Sequence, residues 1–291
     1  MNADALIEML QEKPDGSLVA MACDWMKENE DDDLLEDVLE EVLVGQPQTD
    51  AIDRMLVWFK TNPSIASQLL SPLITYAPDE RKNELITFGE KLAKDNIGTQ
   101  PGIFLAGELI ESHQQKQLLP LVEDWLKKNE NAPAAGVILL NLFVADPNDE
   151  NLKRTTVWLD RNPDDWYSID VLSRLLEFRP EPIFIQDAIA RFSPASPKQP
   201  ELLLLAAPLV EASREGAEFM ADWLSENMKH PLAADILQEC FGANDMVFVP
   251  ALAQWLQTDT NKSNWMVWEM AEDWVAANEE HPSVAEIKKY L

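Results

Sequence analysis

Apolar residues recur along this chain at helical spacing, in register with a large anchor residue. Val122, Leu121 and Leu118 stand three, four and seven positions before Trp125, and Ala271, Met270 and Val267 stand likewise before Trp274. Residues so spaced share one face of an α-helix. The pattern weakens before Trp158, where Thr155 and Arg154 hold the nearer places. Four residues after the anchor comes an asparagine, at Asn29, Asn62, Asn96, Asn129, Asn162, Asn227 and Asn278; Ser196 and Asp259 take that place in two other units. The asparagine is predicted to end the helix, because it tolerates the left-handed backbone of a C-cap. Pro63, Pro133 and Pro163 then stand at or near the first turn of a second helix, where a missing N–H costs nothing. Second helices are predicted over "SQLLSPLITY" (67–76), "GVILLNLFV" (136–144) and "IDVLSRLLEF" (169–178). They stop at the proline turns "APDE" (77–80), "DPND" (146–149) and "RPEP" (179–182).

The anchors are spaced by about 33 residues. Trp25 to Trp58 is one step and Trp125 to Trp158 another, with Leu92 and Phe192 at the places where no tryptophan falls. A unit of two short helices cannot bury its apolar face alone, so stacking of neighbours is expected. The anchor tryptophans read as wedges in that stack. Trp166, Trp265 and Trp268 lie outside the register and are candidates for exposure on a binding face. The ends differ from the middle. "ADALIEMLQEKPDG" (3–16) is a short leading helix, only 19 residues separate Trp255 from Trp274, and "HPSVAEIKKYL" (281–291) is free to lie across the last hairpin. "SPASPKQP" (193–200) is the least regular turn, where a bend is expected.

Tandem antiparallel helix pairs of this kind resemble the HEAT and armadillo class of α-solenoid. The repeat length also matches the tetratricopeptide class, but Trp125 is followed by "LKKNENAPAAG", without that class's Leu-Gly and Tyr pattern. The resemblance implies an all-α, right-handed α-solenoid of about eight antiparallel helix-pair repeats with atypical terminal caps, forming one domain over 1–291. It also implies protein binding along a groove.

Composition narrows the partners. The formal charge is −29, and residues 1–60 hold 16 acids against 4 bases. Such a balance repels nucleic-acid phosphates and anionic lipid and attracts basic protein surfaces. No apolar run approaches the length of a membrane span. "MNADALIEML" has Asp4 and Glu8 where a secretory signal is basic, so no targeting segment is expected and the cytoplasm is the expected location. Cys23 and Cys240 read as buried thiols in a reducing compartment.

Chemistry-bearing motifs are sparse. His113, His230 and His281 lie in different units; His230 reads as a turn residue and His113 as exposed linker. "PGIFLAG" (101–107) lacks the Lys-Ser/Thr ending of a phosphate loop. In "ENEDDDLLEDVLEE" (28–41), Asp31, Asp32 and Asp33 sit where a second helix begins and favour its dipole. Glu36, Asp37, Glu40 and Glu41 alternate with Leu35, Val38 and Leu39 and form a solvated face, but the run has no calcium-loop glycine. The expected function is a non-enzymatic scaffold, a monomer or weak oligomer, binding a protein that is basic, with no cofactor, no metal, no nucleic acid and no membrane. A narrower version is a neutraliser of a basic toxin; another class is an enzyme with an acidic groove. The candidate contact residues are Glu36, Asp37, Glu40, Glu41, Trp166, Trp265 and Trp268.

Overall fold

Helices alternate along the chain as the anchors predict. In the computed structural model, all residues are described except 1, 13–14, 45–48, 164, 193–201 and 259–263. Ser196, Asp259 and the expected bend at 193–200 therefore lie outside the described residues. Among the described residues there are 18 α-helices, one short 3-10 helix and no strand. Contacts divide the chain into two units, Met1–Arg161 and Asn162–Leu291. The first unit runs α1 (Ala3–Glu12), α2 (Gly16–Glu28), α3 (Leu35–Val44), α4 (Thr49–Thr61), α5 (Pro63–Tyr76), α6 (Asp79–Asn96), α7 (Gln100–His113), α8 (Leu119–Asn129), α9 (Pro133–Ala145) and α10 (Asp149–Arg161). The second runs α11 (Trp166–Phe178), α12 (Pro182–Arg191), α13 (Leu203–Ala212), α14 (Arg214–Glu226), α15 (Ala233–Ala243), α16 (Asp245–Thr258), α17 (Trp265–Ala277) and α18 (Val284–Ile287).

Within each unit the odd-numbered helices pack on one another, α1 on α3, α3 on α5, α5 on α7 and α7 on α9, then α11 on α13 and α13 on α15. Up to Trp255 the anchor tryptophans lie on even helices, which pack against neighbouring odd helices. The second helices stop where expected: α5, α9 and α11 end at Tyr76, Ala145 and Phe178. Pro63 and Pro133 are the first residues of α5 and α9, whereas Pro163 stays in the turn before α11. At the far end α17 carries the last anchor, Trp274, and is the next described helix after α16, with α18 packed on both.

The anchors are core residues. Trp25, Trp58, Trp158, Trp223 and Trp274 are buried, and Trp125 and Trp255 are half-buried. Four indole N–H groups donate backwards along the chain. Trp58 donates to Glu30 Oε1 at 3.1 Å, Trp158 to the Ala132 carbonyl at 3.2 Å, Trp223 to the Phe192 carbonyl at 3.0 Å and Trp274 to Asp245 Oδ2 at 2.9 Å. Each of these four wedges thus combines a large apolar area with a satisfied polar tip, whereas the buried Trp255 indole N–H has no partner among the described residues.

The asparagines act differently from expectation. Among the described residues only Gln114 has a positive φ outside glycine, and Asn29, Asn227 and Asn278 have φ near −130°, −120° and −123°. Gln114, which ends α7, is a left-handed cap, but none of these three asparagines is one. Instead the side-chain amide donates to the carbonyl of the anchor four residues back: 2.7 Å for Asn29 to Trp25, 2.9 Å for Asn96 to Leu92 and for Asn129 to Trp125, 2.8 Å for Asn227 to Trp223 and 2.9 Å for Asn278 to Trp274. A helix end leaves its last carbonyls without intrahelical donors, and the amide supplies one. The asparagine carbonyl then opens a turn by accepting the N–H three residues on, from Asp32, Thr99, Ala132, Asp165, His230 or His281. Asparagine is favoured at that opening position.

Three residues after the asparagine, aspartate and histidine do one job. Asp32 Oδ1 accepts from the Leu34 N–H and Asp165 Oδ1 from the Tyr167 N–H, both at 3.0 Å. His230 Nδ1 accepts from Leu232 N–H and His281 Nδ1 from Ser283 N–H, both at 3.2 Å. Both imidazoles also stand edge-on to their anchors, 5.4 Å from Trp223 and 5.3 Å from Trp274 between ring centres. His230 is a turn residue, as read from the sequence.

Candidate docking surface

The residues that singled themselves out in the sequence fall into the two units. In the first, α3 lies between α1 and α5 in the odd layer. Its apolar positions Leu35, Val38, Leu39, Val42 and Leu43 are buried, and the acids occupy the opposite side. The helix begins at Leu35, so Asp31, Asp32 and Asp33 precede it in an exposed turn. Glu36 and Asp37 are exposed. Glu40 and Glu41 are half-buried and tied to their neighbours: Gln11 on α1 donates to Glu41 at 2.7 Å, and the Tyr76 hydroxyl on α5 hydrogen-bonds Glu40. That bond to Glu40, with the charges of Glu36 and Asp37 nearby, holds the Tyr76 hydroxyl above its ordinary pKa, so it stays a donor.

Two clefts adjoin here. One, of about 380 Å³, is lined by Glu30, Asp31, Asp32, Asp33, Glu36 and Gln68; the other, of about 330 Å³, by Glu36, Gln68, Ser71, Thr75, Tyr76 and Glu108. Glu36 and Gln68 belong to both. Pro72 has no N–H to return to the Gln68 carbonyl, so a backbone acceptor is released along the same wall. The equivalent carbonyl before Pro208, that of Leu204, is met by the Ser173 hydroxyl at 2.7 Å.

Charge is segregated by layer. No lysine or arginine occurs in α1, α3, α5, α7 or α9, while α1 carries three acids, α3 four and α7 two. The bases of this unit sit on even helices, apart from Lys116 in the 3-10 turn and Lys13, which lies outside the described residues. Many are neutralised there. Arg154 forks onto Glu123 at 2.9 and 3.0 Å, Arg81 reaches Asp53 at 2.7 Å and Arg161 reaches Glu130 at 2.5 Å. Exposed pairs of this kind contribute about 0–1 kcal/mol each, so their consequence is electrostatic more than structural. One layer is internally balanced and the other carries carboxylates with no lysine or arginine on its own helices.

His113 is not exposed linker. It closes α7, half-buried, with Nε2 3.1 Å from Ser71 Oγ. Burial pushes the imidazole below its ordinary pKa, so it is neutral at pH 7. A serine beside a neutral imidazole has the first two parts of a nucleophilic pair. Acyl transfer also needs free N–H donors around the reacting oxygen, and mid-helix N–H groups near Ser71 are consumed by the helix. The pair reads as a polar tie between α5 and α7. Among the described residues no group of three or more His, Cys, Asp or Glu could hold a metal ion. No described helix is long and apolar enough to cross a membrane.

In the second unit, Trp166 and Trp265 are exposed, 55% and 65%, each as the first residue of its helix. Trp166 lies against Tyr167, with ring centres 4.1 Å apart. Trp268 is 6% exposed and is corrected from the candidate surface to the core: it shares the buried stripe of α17 with Ala271 and Val275, three and seven positions on. Trp265 borders an open cleft that includes Asp245, Glu269 and Asp273, and Asp245 is already engaged by the Trp274 indole.

Cys23 and Cys240 are free and buried, and burial raises the pKa of both thiols. Ellman's reagent at pH 8 should therefore label neither in the native protein and both at the rate of unfolding; rapid native labelling would contradict the described packing.

No family model, curated protein or solved structure matches this chain.

Sequence reasoning missed Gln68, Ser71, Tyr76 and Glu108, because nothing in α5 or α7 marks them until α3 is set beside them. The signal that could have led there is the absence of bases from every second helix of the first unit, which is legible once the helices are assigned.

Proposed function

We infer that this chain is a non-catalytic scaffold that binds a basic protein through the odd-helix face of its first unit. The observation that carries this reading is the absence of lysine and arginine from α1, α3, α5, α7 and α9 beside the acids of α1, α3 and α7. Such a surface steers cationic partners by long-range attraction and rejects acidic ones. The finer architecture, a right-handed HEAT-like array of about eight repeats forming one domain, rests on the 33-residue register, which continues in the sequence through Trp158 and Asn162.

Charge reversal tests the reading. The full chain should capture a basic protein from its native extract at 50 mM salt and lose it at 500 mM. With that recovered partner, Glu36→Lys combined with Asp37→Lys should slow association at least tenfold at low salt and flatten its salt dependence. Glu40 and Glu41 are poorer choices, since their bonds to Tyr76 and Gln11 also hold helices together. An acidic partner, or unchanged association, would leave these carboxylates as ordinary solvated surface.

A further inference from the structure

Two neighbouring ridges run along α17. Trp265, Glu269 and Asp273 follow one another at four-residue steps, and Met266, Met270 and Trp274 do the same one position on. Trp274 is buried and closes the floor with Phe241. Trp265 and Met266 are 65% and 42% exposed and stand at the mouth of a cleft of about 600 Å³. A tryptophan and a methionine left side by side in water form an apolar surface that gains by being covered.

The surroundings specify what covers it. Among the described residues, Asp245, Glu269 and Asp273 are the charged residues lining the cleft, and no base lines it. Glu269 and Asp273 are one helical turn apart, a spacing at which like charges repel. An occupant that buries apolar atoms against Trp265 and Met266 while placing cations over these carboxylates satisfies both demands. The four-residue ridges match apolar side chains one turn apart on another helix. A second copy of this chain would bring a further −29 of like charge. We propose that this cleft docks an amphipathic helix of a partner protein, with apolar residues one turn apart flanked by lysine or arginine. The proposal does not depend on the face assigned to the first unit.

A labelled 14-residue peptide with leucines at positions 1, 4, 8 and 11 and lysines between them is a suitable probe, read by fluorescence anisotropy with the full chain. Any polycation is attracted to so acidic a protein, so the contrast between variants decides. Trp265→Ala, and separately Glu269→Lys with Asp273→Lys, should each weaken binding at least tenfold. Asp222→Lys with Glu226→Lys, the same charge change at exposed positions of α14, should change it less than twofold, and a peptide with glutamate for lysine should not bind. Equal affinity across all variants, or a loss in the α14 variant as large as that in the α17 variants, would overturn the proposal. So would concentration-dependent dimerisation abolished by Trp265→Ala, which would assign the cleft to a second copy. Unchanged acrylamide quenching of total tryptophan fluorescence on removing Trp265 would show that the chain covers the cleft itself, and would overturn it as well.

Discussion

Trp158→Ala should lower the stability of the first unit by about 3–5 kcal/mol, the range for removing a buried aromatic from a packed interior. The residue is 2% exposed, lies over α9, and donates its indole N–H to the Ala132 carbonyl. Truncation opens a ring-sized void and removes one of two donors from that carbonyl, which keeps the Ala135 N–H at 2.9 Å. The anchors are not equivalent: Trp125 is only half-buried, and its replacement by alanine should cost roughly half as much. Urea titrations followed by circular dichroism would measure both. Equal losses would mean that burial does not set the energetics of the wedge.

The second large effect is on the other side of the same contact. A Cβ built on Gly136 would lie 2.3 Å from Cζ3 of Trp158 and 2.5 Å from Cε3 and Cη2. The ring rests against the bare backbone of α9, which is why a glycine is tolerated there, four residues into the helix. Gly136→Ala should therefore destabilise by about 1–3 kcal/mol through overpacking. With Trp158→Ala already in place the clash is gone, and alanine is the better helix former by about 1 kcal/mol. The same substitution should then stabilise. A coupling of about 2–4 kcal/mol in the double-mutant cycle is expected, and additive effects would refute the contact.

Helical pairing was legible in the sequence because burial imposes its own period. Val122, Leu121 and Leu118 could share a face in no other regular structure. The mechanism of helix termination was not legible in the same way. Asn29 and Asn278 look alike whether they adopt a left-handed backbone or turn a side-chain amide back to the anchor carbonyl, and only the dihedrals distinguish the two. His230 and His281 hid their kinship with Asp32 and Asp165 because they differ in charge and share only an acceptor atom in one geometry. The candidate surface was half legible. Glu36 and Asp37 announced themselves by charge density. Their placement beside Gln68, Tyr76 and Glu108 depended on which helix packs against α3, and a short apolar pattern does not name its neighbour. Trp268 failed for a simpler reason: it lies outside the anchor register but inside the local stripe of α17.

The backward-pointing indoles have a consequence for how the molecule is made. Glu30 precedes Trp58, Ala132 precedes Trp158, Phe192 precedes Trp223 and Asp245 precedes Trp274, each by 26 to 31 residues. During synthesis from the N-terminus the acceptor is always translated before its donor. Each of these four indoles can close onto a seat already made, and none of the four waits for a segment still to come. Shortening the chain from its C-terminal end removes donors and leaves acceptors that water can satisfy. Shortening it from the N-terminal end strands a donor wherever the cut falls between one of these acceptors and its indole, so the four contacts are polar in the direction in which they tolerate being incomplete.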